Sequence, residues 1–298
     1  MIFFEFFCDI LLVNEIYLSS RNRWFKNNHI IMIKLIDKIL KKLLPNFLYL
    51  KLKKIYKKLF GLVWSIKICK LYRTKNGNYF LPVFAYNDII ARKIKDNRIF
   101  DPEILDLAKQ YVEENTIVLD VGSNFGQLTY EFSKLKKNVL VYSFEAQEFI
   151  FKLLKKNINI NKCNAKCFYN LVGNETKTLK IKTTSLGKND TWGSNNIITT
   201  DDDKNFNYIK AIKIDDLNIK EKISFMKIDV QGMDLEVLKG AKQTILKNKM
   251  PIIFEYEEVY KNVYGYKFKD FENFIDEINY KIQLKSGSDY LILPKLNN

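Results

Sequence analysis

Residues 118–132 read VLDVGSNFGQLTYEF, and this stretch decides the fold. An apolar run ends in Asp120, two glycines follow at Gly122 and Gly126, and a second apolar stretch begins directly after them. A glycine loop between a buried strand and a helix is typical of a cofactor site at one edge of a parallel sheet. The stretch therefore predicts an α/β domain that binds its ligand at the carboxyl ends of the strands.

The spacing of the glycines narrows the choice of cofactor. A dinucleotide fingerprint, GxGxxG, needs a second glycine where this chain has Asn124, and the spacing here is DxGxxxG. That spacing suits a cofactor with a cationic centre and no phosphate, which is S-adenosyl-L-methionine. We expect Gly122 to let the backbone approach it, and Asp120 to lie near its amino-acid end. Glu145, at the end of the next predicted strand, stands where an acid that binds ribose hydroxyls belongs.

The basic charge of the chain is confined to one segment. The formal net charge is +15, yet residues 32–75 alone hold 13 Lys or Arg against one acid, whereas residues 76–298 hold 33 basic and 30 acidic residues. A basic groove across the whole domain is therefore not supported, and no nucleic-acid partner is expected. Residues 32–75 predict a basic amphipathic helical segment that attaches to an anionic membrane surface. A docked helical pair and RNA contact are the alternatives for this segment.

Cysteine and histidine usage excludes several kinds of chemistry. Four scattered cysteines without a CxxC pair favour a reducing cytoplasm. The basic segment would place the protein at the inner face of the membrane as a peripheral protein. The single histidine, His29, excludes a Ser-His-Asp triad and a site with several histidine ligands in the main domain. The acids Glu5, Asp9 and Glu15 argue against a membrane span in residues 1–31. We interpret those residues as an uncertain extension, one explanation of which is a translation-start artefact.

From Asp101 onward, predicted strands and helices alternate. Asp101 with Pro102 is typical of a helix start, and the tail YKIQLKSGSDYLILP predicts an antiparallel hairpin. The fold class expected is α/β, with a doubly wound, mainly parallel sheet, the C-terminal hairpin and a basic helical N-terminal extension. The predicted domain spans residues 76–298, with its core at 98–293 and a substrate insertion at about 173–216.

Further carboxylates fall at the ends of later strands. FMKIDVQGMDLEVLKGA, residues 225–241, places Asp229 at the end of a buried strand, and IIFEYEE places Glu255 at the end of the next. With Asp120 and Glu145 these would surround one crevice. Their mutual repulsion favours a cationic ligand, protonation of one carboxylate, or a divalent metal, although no metal-ligand set is indicated.

These blocks resemble the FkbM-type methyltransferases, a class I family that uses S-adenosyl-L-methionine. The resemblance covers roughly residues 98–293 and rests on VLDVGSNFG, VYSFEAQEFIFKLLKKNININ, IKIDDL and MKIDVQGMDLEVLKGA. It implies a seven-stranded sheet and cofactor binding by Asp120, Gly122, Ser123, Asn124, Gly126, Glu145 and Ala146.

The chain departs from the family pattern at four positions. Ser123 replaces an alanine in the glycine loop, and Ala146 replaces the proline after the ribose acid. Gln231 replaces a glutamate, and Asp234 shortens another. The loss of charge at residue 231 puts the substrate and the catalytic strength in question more than the fold.

The resemblance implies O-methylation of a sugar, a glycan or a lipid-linked small molecule. Asp229 is the first candidate for the base and Asp215 the second, although the Asp215–Asp216 pair also suits a helix N-cap. Trp192 and Asn195 in the insertion, with Glu255, are the candidate substrate contacts, and for Trp192 a core anchor is equally consistent.

Three other classes of function were weighed. A nucleic-acid amine methyltransferase would show a D/N-P-P-Y/F motif where this chain reads DVQG. A nicotinamide oxidoreductase conflicts with the glycine spacing. A non-catalytic, membrane-associated binding module that retains the fold is the remaining alternative.

Overall fold

The computed structural model describes residues 69–83, 85, 88–182 and 206–295, together with Pro45. The chain divides into two units, Met1–Lys67 and Ile68–Asn298. Most of the predicted membrane-binding segment, the whole of residues 1–31, and both Trp192 and Asn195 lie outside the described residues.

A seven-stranded sheet forms the centre of the second unit, in the order β11-β12-β10-β9-β3-β4-β5. The five strands from β10 to β5 run parallel, and β12 and β11 add an antiparallel hairpin at one edge. This order is that of the class I methyltransferase fold, as expected. The strands are β3 (Ile117–Val121), β4 (Leu140–Glu145), β5 (Ala165–Tyr169), β9 (Ile223–Ile228), β10 (Ile252–Glu255), β11 (Tyr280–Ser286) and β12 (Asp289–Pro294).

Helices cover both faces of this sheet because its central strands are apolar on both sides. In β3, Ile117, Leu119 and Val121 belong to one buried cluster, and Val118 belongs to another on the opposite face. Such two-sided burial is what a parallel sheet requires. The helices are α1 (Ile89–Lys95), α2 (Pro102–Tyr111), α3 (Gln127–Ser133), α4 (Glu148–Ile160), α5 (Asp234–Gly240), α6 (Lys242–Asn248), α7 (Lys261–Tyr264) and α8 (Phe268–Glu277).

The sequence led to two wrong expectations about secondary structure. The predicted basic helical segment extends to residue 75, but Cys69–Thr74 is a strand, β1, paired with β2 (Gly77–Pro82). The predicted boundary at 75/76 therefore falls in the turn of a hairpin, because two alternating strands follow the lysine-rich run. The stretch MDLEVLKGAKQTILKN, residues 233–248, predicts one helix from its sequence, but that helix is broken at Ala241, which separates α5 from α6.

The predicted insertion contributes a second, three-stranded sheet in the order β6-β8-β7. Its strands are β6 (Leu171–Val172), β7 (Lys177–Lys182) and β8 (Phe206–Ile212). None of the helices in the described ranges combines the length and the apolar character needed to cross a bilayer.

Candidate active site

The glycine loop between β3 and α3 is bound to the end of β4. The backbone N–H groups of Gly122 and Ser123 both donate to the carbonyl of Phe144, at 3.0 and 2.9 Å. Gly122 has a φ of +83°, and a Cβ there would lie 1.9 Å from the carbonyl oxygen of Asp229. Glycine is therefore needed at residue 122 for the loop to pass the end of β9.

Glu145 closes the other side of the loop. Its Oε2 accepts the N–H of Asn124 at 3.0 Å, and its Oε1 accepts the N–H of Gln147 at 2.7 Å. Asn124 has a φ of 49°, a left-handed conformation that asparagine tolerates better than most residues. Burial raises the pKa of the Glu145 carboxyl to about 7, while these backbone hydrogen bonds act in the opposite direction. The end of β4 thus holds the glycine loop in a fixed shape.

A buried lysine joins the ends of β3 and β9. Lys227 is 3% exposed and lies beside Asp120 in the strand register. Its Nζ donates to the carbonyl of Gly122 at 3.0 Å and to Oδ2 of Asp229 at 3.3 Å, and lies 3.9 Å from Oδ1 of Asp120. Burial opposes the charge on Lys227, but Asp229, Asp120 and Asp101 raise its pKa above the ordinary value. The lysine therefore stays charged and holds these carboxylates together.

Asp120 is completely buried beneath the loop. Its Oδ2 accepts the hydroxyl of Thr129 at 2.5 Å, while its Oδ1 has no hydrogen-bond partner. Burial raises the pKa of its carboxyl, and Lys227 and the hydroxyl donors partly offset that effect.

Gln231 fixes the second oxygen of Asp229. Its side-chain amide donates to Oδ1 of Asp229 at 3.1 Å, and its Oε1 accepts the hydroxyl of Tyr260 at 2.5 Å. An ionised glutamate could accept from Tyr260 but could not donate to Asp229. The neutral amide at residue 231 therefore gives Asp229 a partner where a glutamate would repel it.

The ends of β10 and β12 add further carboxylates. Ser288 donates to Oε1 of Glu255 at 3.2 Å, and the N–H of Glu255 donates to Oδ1 of Asp234 at 3.3 Å. Burial, and then repulsion by neighbouring carboxylates, raises the pKa of Glu255 well above its ordinary range. Burial also raises the pKa of Asp234 to about 7 and that of Asp289 to about 6.

These elements surround a cavity of about 330 Å³ at the carboxyl ends of the parallel strands. Six of the seven predicted cofactor residues line it, together with Asp229 and Glu255. The seventh, Gly126, does not: a Cβ there would lie 2.6 Å from Leu154 of α4, so this glycine permits the loop to pack on the helix.

The cavity fits S-adenosyl-L-methionine in size and in polarity. The unpaired Oδ1 of Asp120 can accept a hydrogen bond from an ammonium group, and Glu145 retains lone pairs for ribose hydroxyls. Asp120, Gly122, Ser123 and Glu145 are the residues that would hold the cofactor. In the described part of the chain, no group of three or more His, Cys, Asp and Glu side chains is arranged to hold a metal ion.

Asp215 does not reach the cavity, which corrects its prediction as a catalytic residue. Its two carboxylate oxygens accept the N–H groups of Gln243 and Thr244 at 3.0 and 2.8 Å. Asp215 therefore binds the first turn of α6, 28 residues further along the chain, and does not cap a helix that begins at its own position, which was the alternative that its sequence suggested.

Four cavity residues were missed from the sequence. Asp101 was read as a helix cap, but it makes no side-chain cap hydrogen bond and lines the cavity. Gln127 is buried and bridges the carbonyl of Arg98 and the N–H of Phe100. Lys227 could have been found as a lone charge inside an apolar strand. Asp289 carried no local signal, because its role depends on pairing between β12 and β10.

Comparison with known proteins gives one family match. A model described as the methyltransferase FkbM domain matches residues 120–282, which is more than half of the chain. No curated protein matches the sequence.

Solved structures of methyltransferases are distant from this chain. The methyltransferase FkbM from Methylobacillus flagellatus KT is 16% identical, with a TM-score of 0.42, and the match covers 63% of this chain and 50% of that one. The chain thus spans about half the length of that protein. M. jannaschii TYW2 in complex with AdoMet is 12% identical, with a TM-score of 0.35 and coverage of 76% and 84%. A TehB-like SAM-dependent methyltransferase from Corynebacterium glutamicum is 11% identical, with a TM-score of 0.39 and coverage of 71% and 99%.

Proposed function

Because the chain belongs to the FkbM methyltransferase family, and so uses S-adenosyl-L-methionine as its methyl donor, we propose that it methylates a hydroxyl group of a sugar, a glycan or a lipid-linked small molecule. The observation that carries this proposal is the position of Asp229. Its carboxylate lies in the same cavity as the glycine loop, held by Lys227 on one oxygen and by Gln231 on the other.

Asp229 is the proposed base. The cofactor supplies a methyl carbon already activated by a positively charged sulfur, so the protein needs no covalent intermediate. Asp229 would accept the proton of the acceptor hydroxyl as that oxygen forms its new bond to carbon and the bond from that carbon to the cofactor sulfur breaks, leaving a neutral thioether. Lys227 and Gln231 keep the carboxylate in one orientation, which is the contribution that positioning makes to a displacement reaction.

Gln231 takes the place of the family glutamate and has a partner for each end of its amide, Asp229 and Tyr260. The substitution therefore keeps the Asp229 carboxylate oriented. An assay of methyl transfer distinguishes a working site from a binding module that retains the fold.

Calorimetric titration of the full chain with S-adenosylhomocysteine tests the proposal. We expect micromolar binding, no binding of NAD, and loss of binding in Glu145→Ala, because Glu145 both shapes the loop and faces the ribose position. Glu148→Ala is the matched control: Glu148 is an exposed carboxylate three residues further along that pairs with Lys152, and we expect its loss to leave binding intact. Absence of binding at millimolar S-adenosylhomocysteine, with protein shown to be folded, contradicts the proposal.

A further inference from the structure

The side of the cavity formed by β10 and β12 carries two carboxyl groups opposite each other across two strands. Glu255 and Asp289 are direct partners in the antiparallel register between these strands, and both line the cavity. Two like charges in this position would be destabilising. Without a cation between them, the raised pKa of Glu255 keeps its carboxyl protonated at neutral pH, and a cation between the two groups would let both ionise.

One buried oxygen of this pair, Oε2 of Glu255, has no hydrogen-bond partner. A buried polar atom without a partner destabilises the fold, so an unpaired oxygen at a cavity wall indicates a ligand that completes its hydrogen bonds.

The cavity holds more carboxyl groups than the cofactor can pair with. Among the described residues that line it are seven carboxylates and one basic residue, Lys227. S-adenosyl-L-methionine carries one net positive charge, and its predicted partners are Asp120 and Glu145. Asp88 caps α1 through the N–H of Ala91. The excess therefore lies with the acidic rim, which we define as Asp101, Asp229, Glu255 and Asp289.

We propose that the methyl acceptor carries an ammonium group, which binds between Glu255 and Asp289 while the neighbouring hydroxyl faces Asp229. The inference rests on the proposed function and adds the substrate class, an amine-bearing alcohol such as an amino sugar. An ammonium group has three donors, enough to reach both carboxylates, and its charge removes their mutual repulsion. The hydroxyl proton passes to Asp229, and the methyl group would pass from the cofactor sulfur to the hydroxyl oxygen, with the carbon–sulfur electron pair staying on sulfur as the thioether of S-adenosylhomocysteine. The ammonium nitrogen keeps its protons.

The test compares matched probes on the full chain saturated with S-adenosylhomocysteine. Glucosamine, N-acetylglucosamine and glucose differ in charge at one position, and ligand-observed NMR at neutral pH reports their binding. Nα-acetyl-lysine amide distinguishes an amine on a protein from an amine on a sugar. We expect glucosamine to bind in the millimolar range. The two neutral sugars should bind at least about tenfold more weakly, because a desolvated ion pair contributes more free energy than a tenfold change in affinity requires.

Variants that neutralise two carboxyls of the acidic rim provide the second part of the test. In Glu255→Gln with Asp289→Asn, we expect glucosamine binding to fall by about tenfold or more. The melting temperature should fall less steeply with rising pH than in the unmodified protein, because two carboxyls with raised pKa are gone. Asp276→Asn, at an exposed carboxylate paired with Lys295, is the control and should change neither result.

Each outcome decides the inference. Equal binding of glucose and glucosamine, no binding of either amine probe, or unchanged glucosamine binding in the double variant overturns it. If Nα-acetyl-lysine amide binds more tightly than glucosamine, the acceptor still carries an ammonium group, but that group belongs to a protein and the assignment to an amino sugar is wrong. Failure to load S-adenosylhomocysteine at all contradicts the proposed function instead, so the two failures are distinguishable.

Discussion

Lys227 places a charge inside a strand whose other residues are apolar apart from Ser224. Since it holds Asp120 and Asp229 together, its removal leaves two carboxylates near each other without a cation. Breaking one side of a buried ion pair typically costs about 3–5 kcal/mol. We therefore expect Lys227→Met to lower the free energy of unfolding by about that amount in urea titrations.

Lys222→Met is the comparison for this prediction. Lys222 pairs with Glu113 on the surface, where both side chains are more than half exposed, and such pairs contribute about 1 kcal/mol or less. A cost for Lys227→Met as small as that of Lys222→Met would show that the buried lysine does not hold the carboxylates together.

Gly122 combines two demands, a positive φ and a close approach to another strand. Gly122→Ala adds a Cβ that would lie 1.9 Å from the carbonyl oxygen of Asp229, and that oxygen belongs to backbone that cannot rotate away. We expect the variant to lose S-adenosylhomocysteine binding in calorimetry. Gly287→Ala separates the two effects, because Gly287 also has a positive φ, +62°, but has open space around it. Its expected cost is the conformational one alone, about 1–2 kcal/mol with binding retained.

At the scale of elements, Asn157 of α4 and Asn161 at its C-cap bind the hairpin formed by β1 and β2. Asn161 exchanges two hydrogen bonds with the backbone of Asn78, each 2.7 Å. Asn157 accepts the N–H of Phe80 at 2.6 Å, and it also donates to the carbonyl of Phe125 in the glycine loop at 2.9 Å. The two side chains thus supply β2 with hydrogen bonds that a neighbouring strand would otherwise give.

This pair gives a matched prediction. Asn157→Ala and Asn161→Ala both remove contacts with the hairpin, and each should lower the free energy of unfolding by about 1–3 kcal/mol. Only Asn157 reaches the glycine loop, so we expect a weaker affinity for S-adenosylhomocysteine in Asn157→Ala and an unchanged affinity in Asn161→Ala. Equal affinities in the two variants would rule out a link between the hairpin and the loop.

The sequence predicted the elements of the sheet better than the contacts between distant segments. The apolar strands β3, β4, β9 and β10 and the final hairpin were readable because each has a local pattern. The role of Asp289 could not be predicted, because it depends on which residue of β10 lies opposite. The sequence around Asp101 is that of an ordinary helix cap, and its place in the cavity depends on segments far along the chain. The prediction of Asp215 as a base was wrong because its local sequence fits both a cap and a base, and its partners lie in α6, far along the chain.

At the scale of the whole molecule, the buried carboxyls predict how stability changes with pH. Burial raises the pKa of Glu145 and Asp234 to about 7 and that of Asp101 and Asp289 to about 6. A carboxyl with a raised pKa in the folded state binds its proton more tightly there than in the unfolded chain. Stability therefore falls as the pH rises from the unfolded pKa, about 4, through the folded value.

We expect the melting temperature of the ligand-free protein to fall between about pH 5 and pH 8, as calorimetry would measure. Asp234→Asn should reduce this fall, because its amide keeps an oxygen for the N–H of Glu255 without a titrating proton. A melting temperature that rises through the same interval would contradict the burial of these carboxyls.

The acidic lining of the cavity has a consequence for how fast ligands arrive. Residues 76–298 hold 33 basic and 30 acidic residues, whereas the cavity is lined by seven carboxyl groups and a single lysine among the described residues. An acidic cleft in a nearly neutral domain attracts cations, and salt screens that attraction. A cationic ligand is therefore steered into the cavity, and added salt should both slow its association and weaken its binding.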